Sequence, residues 1–199
     1  MNQRNVRQLI VGAIVMVVVL GGAIYFFTMS KSQQPAPREA ITLDASSDKS
    51  TYKAGEEVRV DVHLNNSGEV DTCVSNMGAG NIRAVSFTRD GEPVETRSTP
   101  VYFITSFDKM LEASLILVNP GESLDITLSS ELDDGLQKQA LRTTSLDDGR
   151  GIAMFYDTET PGDYQLKLAY EYPGPKSPNC AHVFGEETNT AVVTFTVIP

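Results

Sequence analysis

The chain has 199 residues, of which 41% are hydrophobic, and its 26 acidic and 16 basic side chains give it a formal net charge of −10 at pH 7. This length fits one domain with a full hydrophobic core and a short accessory segment. The acidic balance repels phosphate backbones, and we therefore expect no nucleic-acid partner.

The first element along the chain is an uncharged run of 19 residues from Leu9 to Phe27. A bilayer core about 30 Å thick is spanned by roughly 20 apolar residues in a helix, so the run is long enough to cross a membrane once. A cleaved signal peptide has a shorter apolar stretch, of about 7 to 15 residues, and a small-residue cleavage site. We predict a transmembrane helix over residues 9–28, preceded by a cytoplasmic stub over residues 1–8.

Residues 29–40 follow as a linker, whose two prolines favour an extended, semi-rigid chain. Cleavage of the apolar run as a signal peptide near Ala36 or Ala40 is the alternative. Only two of the 16 basic residues precede the run and all 26 acidic residues follow it, so the rest of the chain carries a net charge of −12. We expect this acidic ectodomain, residues 41–199, on the periplasmic or extracellular side of the inner (cytoplasmic) membrane, clear of anionic lipid headgroups.

The ectodomain shows the period-two alternation of apolar and polar residues that is typical of half-buried strands. In the best example, Val58, Val60 and Val62 share one face of a strand. No helical pattern of comparable length occurs, and turn residues separate the runs. Strands are predicted over residues 41–45, 57–65, 82–88, 101–105, 114–118, 124–128, 152–156, 164–172 and 191–197.

Many short strands without alternating helices predict an all-β fold, an immunoglobulin-like antiparallel β-sandwich. Asp90-Gly91 predicts a tight hairpin, because a type I′ turn needs positive φ at both central residues. Gly162 and Tyr164 stand where a late strand begins and match the tyrosine corner of such sandwiches, in which the hydroxyl bonds to nearby backbone. An ordinary tyrosine at the start of a strand is the alternative.

Residues 130–151 fit the strand pattern poorly. The segment is long and polar, it contains the sequence Leu-Asp-Asp-Gly twice, and we expect a helical turn near residues 136–141. Paired Asp-Asp-Gly suggests Ca²⁺, but the spacing lacks the alternating ligands and the closing Glu of an EF-hand loop. We therefore predict a solvated insertion rather than a calcium site.

Cys73 and Cys180 are the only cysteines of the chain. With strand 57–65 in the B position and strand 164–172 in the F position, they fall in the B–C and F–G loops, which share one pole of an immunoglobulin-like sandwich. In an oxidising compartment, two cysteines brought to one pole most simply form a disulfide. We predict that pairing.

A metal site is the alternative use of these side chains. Cys180 and His182 stand two residues apart, and Cys73 with His63 would complete a set suited to Zn²⁺ or copper. However, no C-x-x-C pair occurs and the chain has only two histidines, so we predict no metal and no cofactor. The motifs H-E-x-x-H and G-x-S-x-G and the P-loop are also absent, and we expect no enzymatic activity.

Two parts of the ectodomain resemble known extracellular modules. The stretch SSDKSTYKAGEEVRVDVHLNN resembles the opening strands of bacterial extracellular immunoglobulin-like modules. The stretches LVNPGESLDITLSSELD and FYDTETPGDYQLKLAY resemble the amino-terminal β-sandwich that precedes the catalytic domain in some secreted deuterolysin-like zinc peptidases. We expect no such catalytic domain here, since the chain ends at Pro199 without H-E-x-x-H, and no catalytic residue is carried over. The resemblance implies an accessory or binding sandwich.

We therefore expect a membrane-anchored, non-catalytic envelope protein whose β-sandwich binds a protein or an extracellular ligand. The alternatives are an inhibitor or assembly factor for a secreted enzyme, and the metal-binding envelope protein described above. Strand A begins at the pole of the B–C and F–G loops, so the cysteine pole should face the membrane. A binding surface is then expected on the sheet faces or at the distal pole, near Asp90-Gly91 or Asn119-Pro120-Gly121.

Overall fold

The computed structural model describes residues 40–77, 81–101, 107–147 and 150–199. The described part of the chain is all-β, with 58% strand and 4% helix, and the predicted all-β class is confirmed. The predicted stub, the transmembrane helix over residues 9–28 and the linker before Ala40 lie outside the described residues. Within the described ranges, no helix is long and apolar enough to cross a membrane.

The described residues form thirteen strands and one short helix. The strands are β1 (Ile41–Ser47), β2 (Thr51–Lys53), β3 (Arg59–Asn66), β4 (Thr72–Ser75), β5 (Ile82–Arg89), β6 (Glu92–Pro93), β7 (Thr96–Val101), β8 (Leu115–Val118), β9 (Ser123–Asp133), β10 (Lys138–Asp147), β11 (Arg150–Asp157), β12 (Gly162–Tyr170) and β13 (Ala191–Ile198). The helix, α1 (Phe107–Ala113), lies between β7 and β8.

The larger sheet has six strands in the order β1-β3-β9-β10-β11-β7, and all neighbours in it are antiparallel. The long strand β9 connects its two halves. Its first residues pair with β3, where Leu124 lies opposite Leu64, and its last residues pair with β10, where Asp133 lies opposite Lys138. The alternation predicted for β3 is confirmed, since Val62 and Leu64 are fully buried.

The second sheet has five strands in the order β2-β13-β12-β5-β6. Strand β2 pairs with β13 in parallel, and the other pairs are antiparallel. Asp90 and Gly91 close the β5–β6 hairpin with φ of 52° and 86°. Because a type I′ turn requires positive φ at both positions, the hairpin prediction is confirmed.

The two sheets bury a shared apolar core that contains a cluster of aromatic rings. Tyr164 stacks on Phe195 with ring centroids 4.9 Å apart, and Phe87 and Tyr52 contact these rings at 5.7 Å and 5.4 Å. Each such ring removes about 150 to 250 Å² from water, so the cluster is a large part of the stabilising core. Burial and a 2.5 Å hydrogen bond to Asp48 raise the pKa of Tyr52 to about 12.

The prediction of a solvated insertion with a helical turn over residues 130–151 is wrong. The stretch forms the end of β9, all of β10 and the start of β11. In the β9–β10 turn, the Asp133 carboxylate accepts Arg97 Nε–H and the Leu136 backbone N–H, both at 2.8 Å. The Arg97 hydrogen bond lowers the pKa of Asp133. Gly135 leaves room for this guanidinium, because a Cβ atom there would clash with it.

A third, two-stranded sheet pairs β4 with β8 in antiparallel orientation. Strand β8 matches the strand predicted over residues 114–118, whereas β4 and the helix α1 were not predicted. Of the strand predicted over residues 101–105, only Val101 is described, as the last residue of β7 (Thr96–Val101). Residues 102–106 lie outside the described ranges.

Candidate functional site

Strand β4 brings Cys73 against the segment that carries Cys180. Their Cα atoms lie 6.3 Å apart, and the sulfurs form the predicted disulfide across a sequence separation of 107. Backbone hydrogen bonds hold the same junction: Cys73 N–H donates to His182 O at 2.7 Å, and Phe184 N–H donates to Cys73 O at 3.0 Å. The irregular connection between β12 and β13 is thereby fixed to the sandwich.

The described chain begins at the pole that carries these connections. Ser67 N–H donates to Ala40 O at 2.9 Å, and Ser67 belongs to the β3–β4 connection that leads to Cys73. Gly121 N–H donates to Asn66 O at 2.8 Å, so the Asn119-Pro120-Gly121 turn also lies here. The expectation that this turn marks the distal pole is wrong, because β8 returns the chain to this end before β9 begins.

The hydrogen-bond pattern leaves one side of β8 unpaired in the described part of the chain. Both main-chain groups of Cys73 bond to residues 182–184, so Cys73 and the opposite residue Leu117 form a non-hydrogen-bonded pair. The N–H and C=O of Leu117 therefore point away from β4. Those of Leu115, two residues earlier, point the same way. We call this free side of Leu115–Val118 the β8 edge.

The β8 edge is apolar and exposed. Leu117 is 53% exposed and Ile116 is 37% exposed, and Met110 in the preceding helix is 50% exposed. None of the four residues of β8 is charged. A strand edge with free main-chain groups and apolar side chains is a template for pairing with another chain.

The ends of the two larger sheets carry several protective features. The Asn189 side-chain amide bonds to the N–H and C=O of Leu43 at 2.8 Å and 2.9 Å, and so covers the outer edge of β1. Strand β7 contains Pro100, and β2 and β6 are only three and two residues long. Among the described residues, the β8 edge has neither a proline nor a covering side-chain amide, and it carries exposed apolar side chains.

Leu117 also forms one wall of an open groove of about 560 Å³ beside the disulfide. The apolar part of its lining includes Leu117, Val70 and Cys180, and the acidic part is Glu69 and Asp71. Both acidic residues are exposed, and neither forms an ion pair within the described residues. We call this feature the disulfide groove. It combines an apolar wall with two exposed carboxylates.

The residues of the alternative metal site are not brought together. His63 lies on the outer face of the larger sheet with Nδ1 2.7 Å from Asp125 Oδ1, whereas His182 lies beside the disulfide. The sulfurs of Cys73 and Cys180 are bonded to each other and are not thiolate ligands in this form. Among the described residues, no group of three His, Cys, Asp or Glu side chains is arranged to hold a metal ion.

A second open groove, of about 500 Å³, lies at the Asp90-Gly91 hairpin. Several of its polar groups already bond to one another: Asp90 Oδ1 accepts Asp163 N–H at 2.9 Å, and Thr196 Oγ1 donates to Asp163 Oδ1 at 2.7 Å. The rings that line it, Tyr164 and Phe195, belong to the buried aromatic cluster. The groups of Asp90, Asp163 and Thr196 that form these bonds therefore have a structural role at the hairpin.

Tyr164 and Gly162 shape the turn before β12. The Tyr164 hydroxyl donates to Thr160 O at 2.5 Å, which is the contact that defines a tyrosine corner. Gly162 has φ of 150°, and a Cβ atom there would clash with the side chains of Asp90 and Arg89. Both residues thus have structural roles, away from the β8 edge.

Asp157 anchors the same turn. Its buried carboxylate accepts the N–H groups of Glu159 and Thr160 at 2.8 Å and 3.2 Å. It also lies 3.3 Å from Lys138 Nζ and 3.4 Å from Arg89 Nη1. Burial alone raises the pKa of Asp157, but hydrogen bonds from Thr160 and Glu159 and the charge of Lys138 outweigh it, and the pKa is lowered. The ionised carboxylate stabilises the turn.

Sequence reasoning did not identify Met110 or the exposure of Leu117 as features of a site. The available signal was the run LILV in β8, which lacks the apolar–polar alternation of the other strands. A strand with apolar residues at successive positions has two apolar faces, and both must be buried by other parts of the protein. A four-residue strand in a two-stranded sheet has few neighbours that could bury them.

No family model and no curated protein matches the chain. Among solved structures, the chain is similar to AvmM, which catalyses macrocyclization in alchivemycin A biosynthesis. The sequences are 13% identical, the match covers 83% of this chain and 96% of AvmM, and the TM-score is 0.31. A likeness of this size carries no argument about function. The resemblance to the deuterolysin-associated sandwich stays a prediction.

Proposed function

We propose that this protein is a single-pass, membrane-anchored and non-catalytic envelope protein whose β-sandwich binds a protein partner at the β8 edge. The observation that carries the proposal is the exposure of Leu117 and Ile116 on a strand whose outer main-chain groups are unpaired in the described part of the chain. Exposed apolar residues that cluster on one element mark interaction sites more often than isolated ones do.

Strand order supports an immunoglobulin-like version of the sandwich. The neighbours β1-β3-β9 follow the A-B-E order of such domains, and β13-β12-β5 follow the order G-F-C. The Tyr164 hydrogen bond to Thr160 O occurs at the start of the strand that corresponds to F. In this frame Cys73 and Cys180 belong to the B–C and F–G connections.

The position of Ala40 supports a membrane-proximal location for the β8 edge. The chain enters at Ala40, beside Ser67. The predicted linker therefore joins the domain at the pole that carries the disulfide groove. A partner that binds there would be an envelope or secreted protein close to the bilayer. An enzyme held by this domain, as an inhibitor or assembly factor would hold it, is one such partner.

The test is a comparative pull-down of the full-length, affinity-tagged protein from detergent-solubilised membranes. Leu117→Asp places a charge on the β8 edge, whereas Leu132→Asp places the same charge at a 64% exposed site on β9. We expect at least one envelope protein whose recovery falls about tenfold or more with Leu117→Asp and is unchanged with Leu132→Asp. Equal recovery of every captured protein with both variants would refute the proposal.

A further inference from the structure

We infer that the partner binds by strand addition, as an extended segment that carries an apolar residue and basic residues on one face and pairs with the β8 edge beside the disulfide groove. This inference rests on the proposed function and adds the mode of binding and the chemistry of the bound segment. Strand addition draws its affinity from main-chain hydrogen bonds and its specificity from alternate side chains.

The register between β4 and β8 determines which main-chain groups of β8 are available to a partner. Leu115 and Leu117 each present one N–H and one C=O on the free side of β8, because their partners in β4 form non-hydrogen-bonded pairs with them. An incoming strand therefore meets two donors and two acceptors. Each of these bonds contributes a modest net free energy, about 1 kcal/mol, so the side chains must supply the remainder.

The disulfide groove determines which side chains of a bound segment fit next to β8. Residues opposite one another on paired strands point to the same face, so a partner residue opposite Leu117 would lie over the groove wall formed by Val70 and Cys180. An apolar side chain fits that position. The carboxylates of Glu69 and Asp71 line the same groove without an ion pair in the described ranges, so basic residues two positions from the apolar one, which point to the same face, would be attracted.

The negative charge of this protein also distinguishes between three possible occupants of the β8 edge: a second copy of the chain, a membrane surface and another protein. A second copy of this chain would bring another acidic segment, since the residues after the apolar run carry a net charge of −12, and the same two carboxylates to the edge. An anionic membrane surface would be repelled in the same way. An apolar and basic segment of another protein complements both the wall and the charge.

The experiment uses the full-length protein in lipid nanodiscs made of zwitterionic lipid. The probe is a fluorescein-labelled Thr-Lys-Thr-Val-Thr-Lys-Thr peptide, called the Lys-Val peptide, whose lysines and valine share one face of an extended chain. Fluorescence anisotropy measures binding at low salt, where exposed charges are least screened. We expect saturable binding that the neutral substitution Leu117→Asn weakens about tenfold, the effect of roughly 1.4 kcal/mol, and that the control variant Leu132→Asn leaves unchanged. Glu69→Gln combined with Asp71→Asn should weaken binding about fivefold, the effect of roughly 1 kcal/mol for two exposed charges.

Two comparison peptides test the mode without altering the fold of the protein. A Lys-Val peptide with every second amide N-methylated keeps its charge and side chains but loses the donors of one edge, and a Glu-Val peptide reverses the charge. We expect neither to bind measurably at 1 mM. Equal binding of the N-methylated peptide, or binding of the Lys-Val peptide to Leu117→Asn as strong as to the wild type, would overturn strand addition.

Two other results would also overturn the inference. One is no binding of the Lys-Val peptide at 1 mM. The other is a dimer, detected by sedimentation velocity, that Leu117→Asp dissociates, since this would assign the edge to a second copy. If the Lys-Val peptide does not bind but recovery of a partner in the pull-down still depends on Leu117, the proposed function stands and only binding by strand addition is wrong. If both fail, the proposed function fails as well.

Discussion

Removal of the Cys73–Cys180 disulfide gives a direct test of how the pole of the sandwich is stabilised. The bond closes a loop with a sequence separation of 107. In the chain-entropy model, a cross-link of this span removes about 16 cal/mol/K from the unfolded chain, or about 4.8 kcal/mol at room temperature. Since small domains are stable by roughly 5 to 15 kcal/mol, the bond is a large fraction of the total.

The perturbation is the double substitution Cys73→Ala and Cys180→Ala, which keeps both buried Cβ atoms. Urea denaturation is followed by circular dichroism, because the chain has no Trp to report unfolding by fluorescence. With a denaturant slope of about 2 kcal/mol per molar urea, the midpoint should fall by about 2.4 M. Reductant should lower the wild-type midpoint by a similar amount.

The double variant is its own control, because reductant should leave its midpoint unchanged. Wild-type protein denatured without reductant should show no titratable thiol. A midpoint shift below about 0.5 M, with the thiols still blocked, would refute the reasoning that loop closure stabilises the domain. Free thiols in the native protein would refute the disulfide itself.

The remaining predictions concern the turn before β12 and the anchor. Tyr164→Phe should lower the free energy of unfolding by about 1 kcal/mol in urea, because the hydrogen bond to Thr160 O is lost; unchanged stability would contradict the corner. The folded pKa of Asp157 lies below its unfolded value near 4, so its contribution is complete above that pH and is lost as the pH falls through the folded pKa. Asp157→Asn should therefore lower the thermal midpoint at pH 7 and flatten its decline at acid pH, whereas an unchanged acid slope would assign the decline to other carboxylates. Deletion of residues 1–30 should move the protein out of the membrane fraction, and retention there would disprove the anchor.

Much of the strand content was predictable because the signal is local. In β3 each second residue from Val60 to Leu64 is buried, and the period of two directly reflects a strand with one face in the core. The Asp90-Gly91 turn was predictable for the same reason, since the need for positive φ involves only those two residues. The disulfide was predicted because an oxidising compartment was expected and because both cysteines were expected in loops at the same pole of the sandwich.

Residues 130–151 show where local reasoning fails. Their polar residues indicated a loop, but Asp133 and Arg97 are 36 residues apart in sequence and form an ion pair only because β7, β11, β10 and β9 are neighbours in one sheet. A polar stretch can be a strand when its partners are supplied from distant segments. Those partners were not visible in the sequence around it.

By itself, the sequence determined the strand-rich character of the ectodomain, its acidic charge and the type of several turns, because each depends on residues that are close together in the chain. Only the tertiary structure decided that β8 is an edge strand. Whether the N–H and C=O of Leu117 are paired depends on the hydrogen bonds of Cys73 to residues 182–184, which lie more than 60 residues further along the chain. Whether a strand lies at the edge or in the centre of a sheet depends on the order of the strands. That order is set by packing between segments that are distant in the sequence.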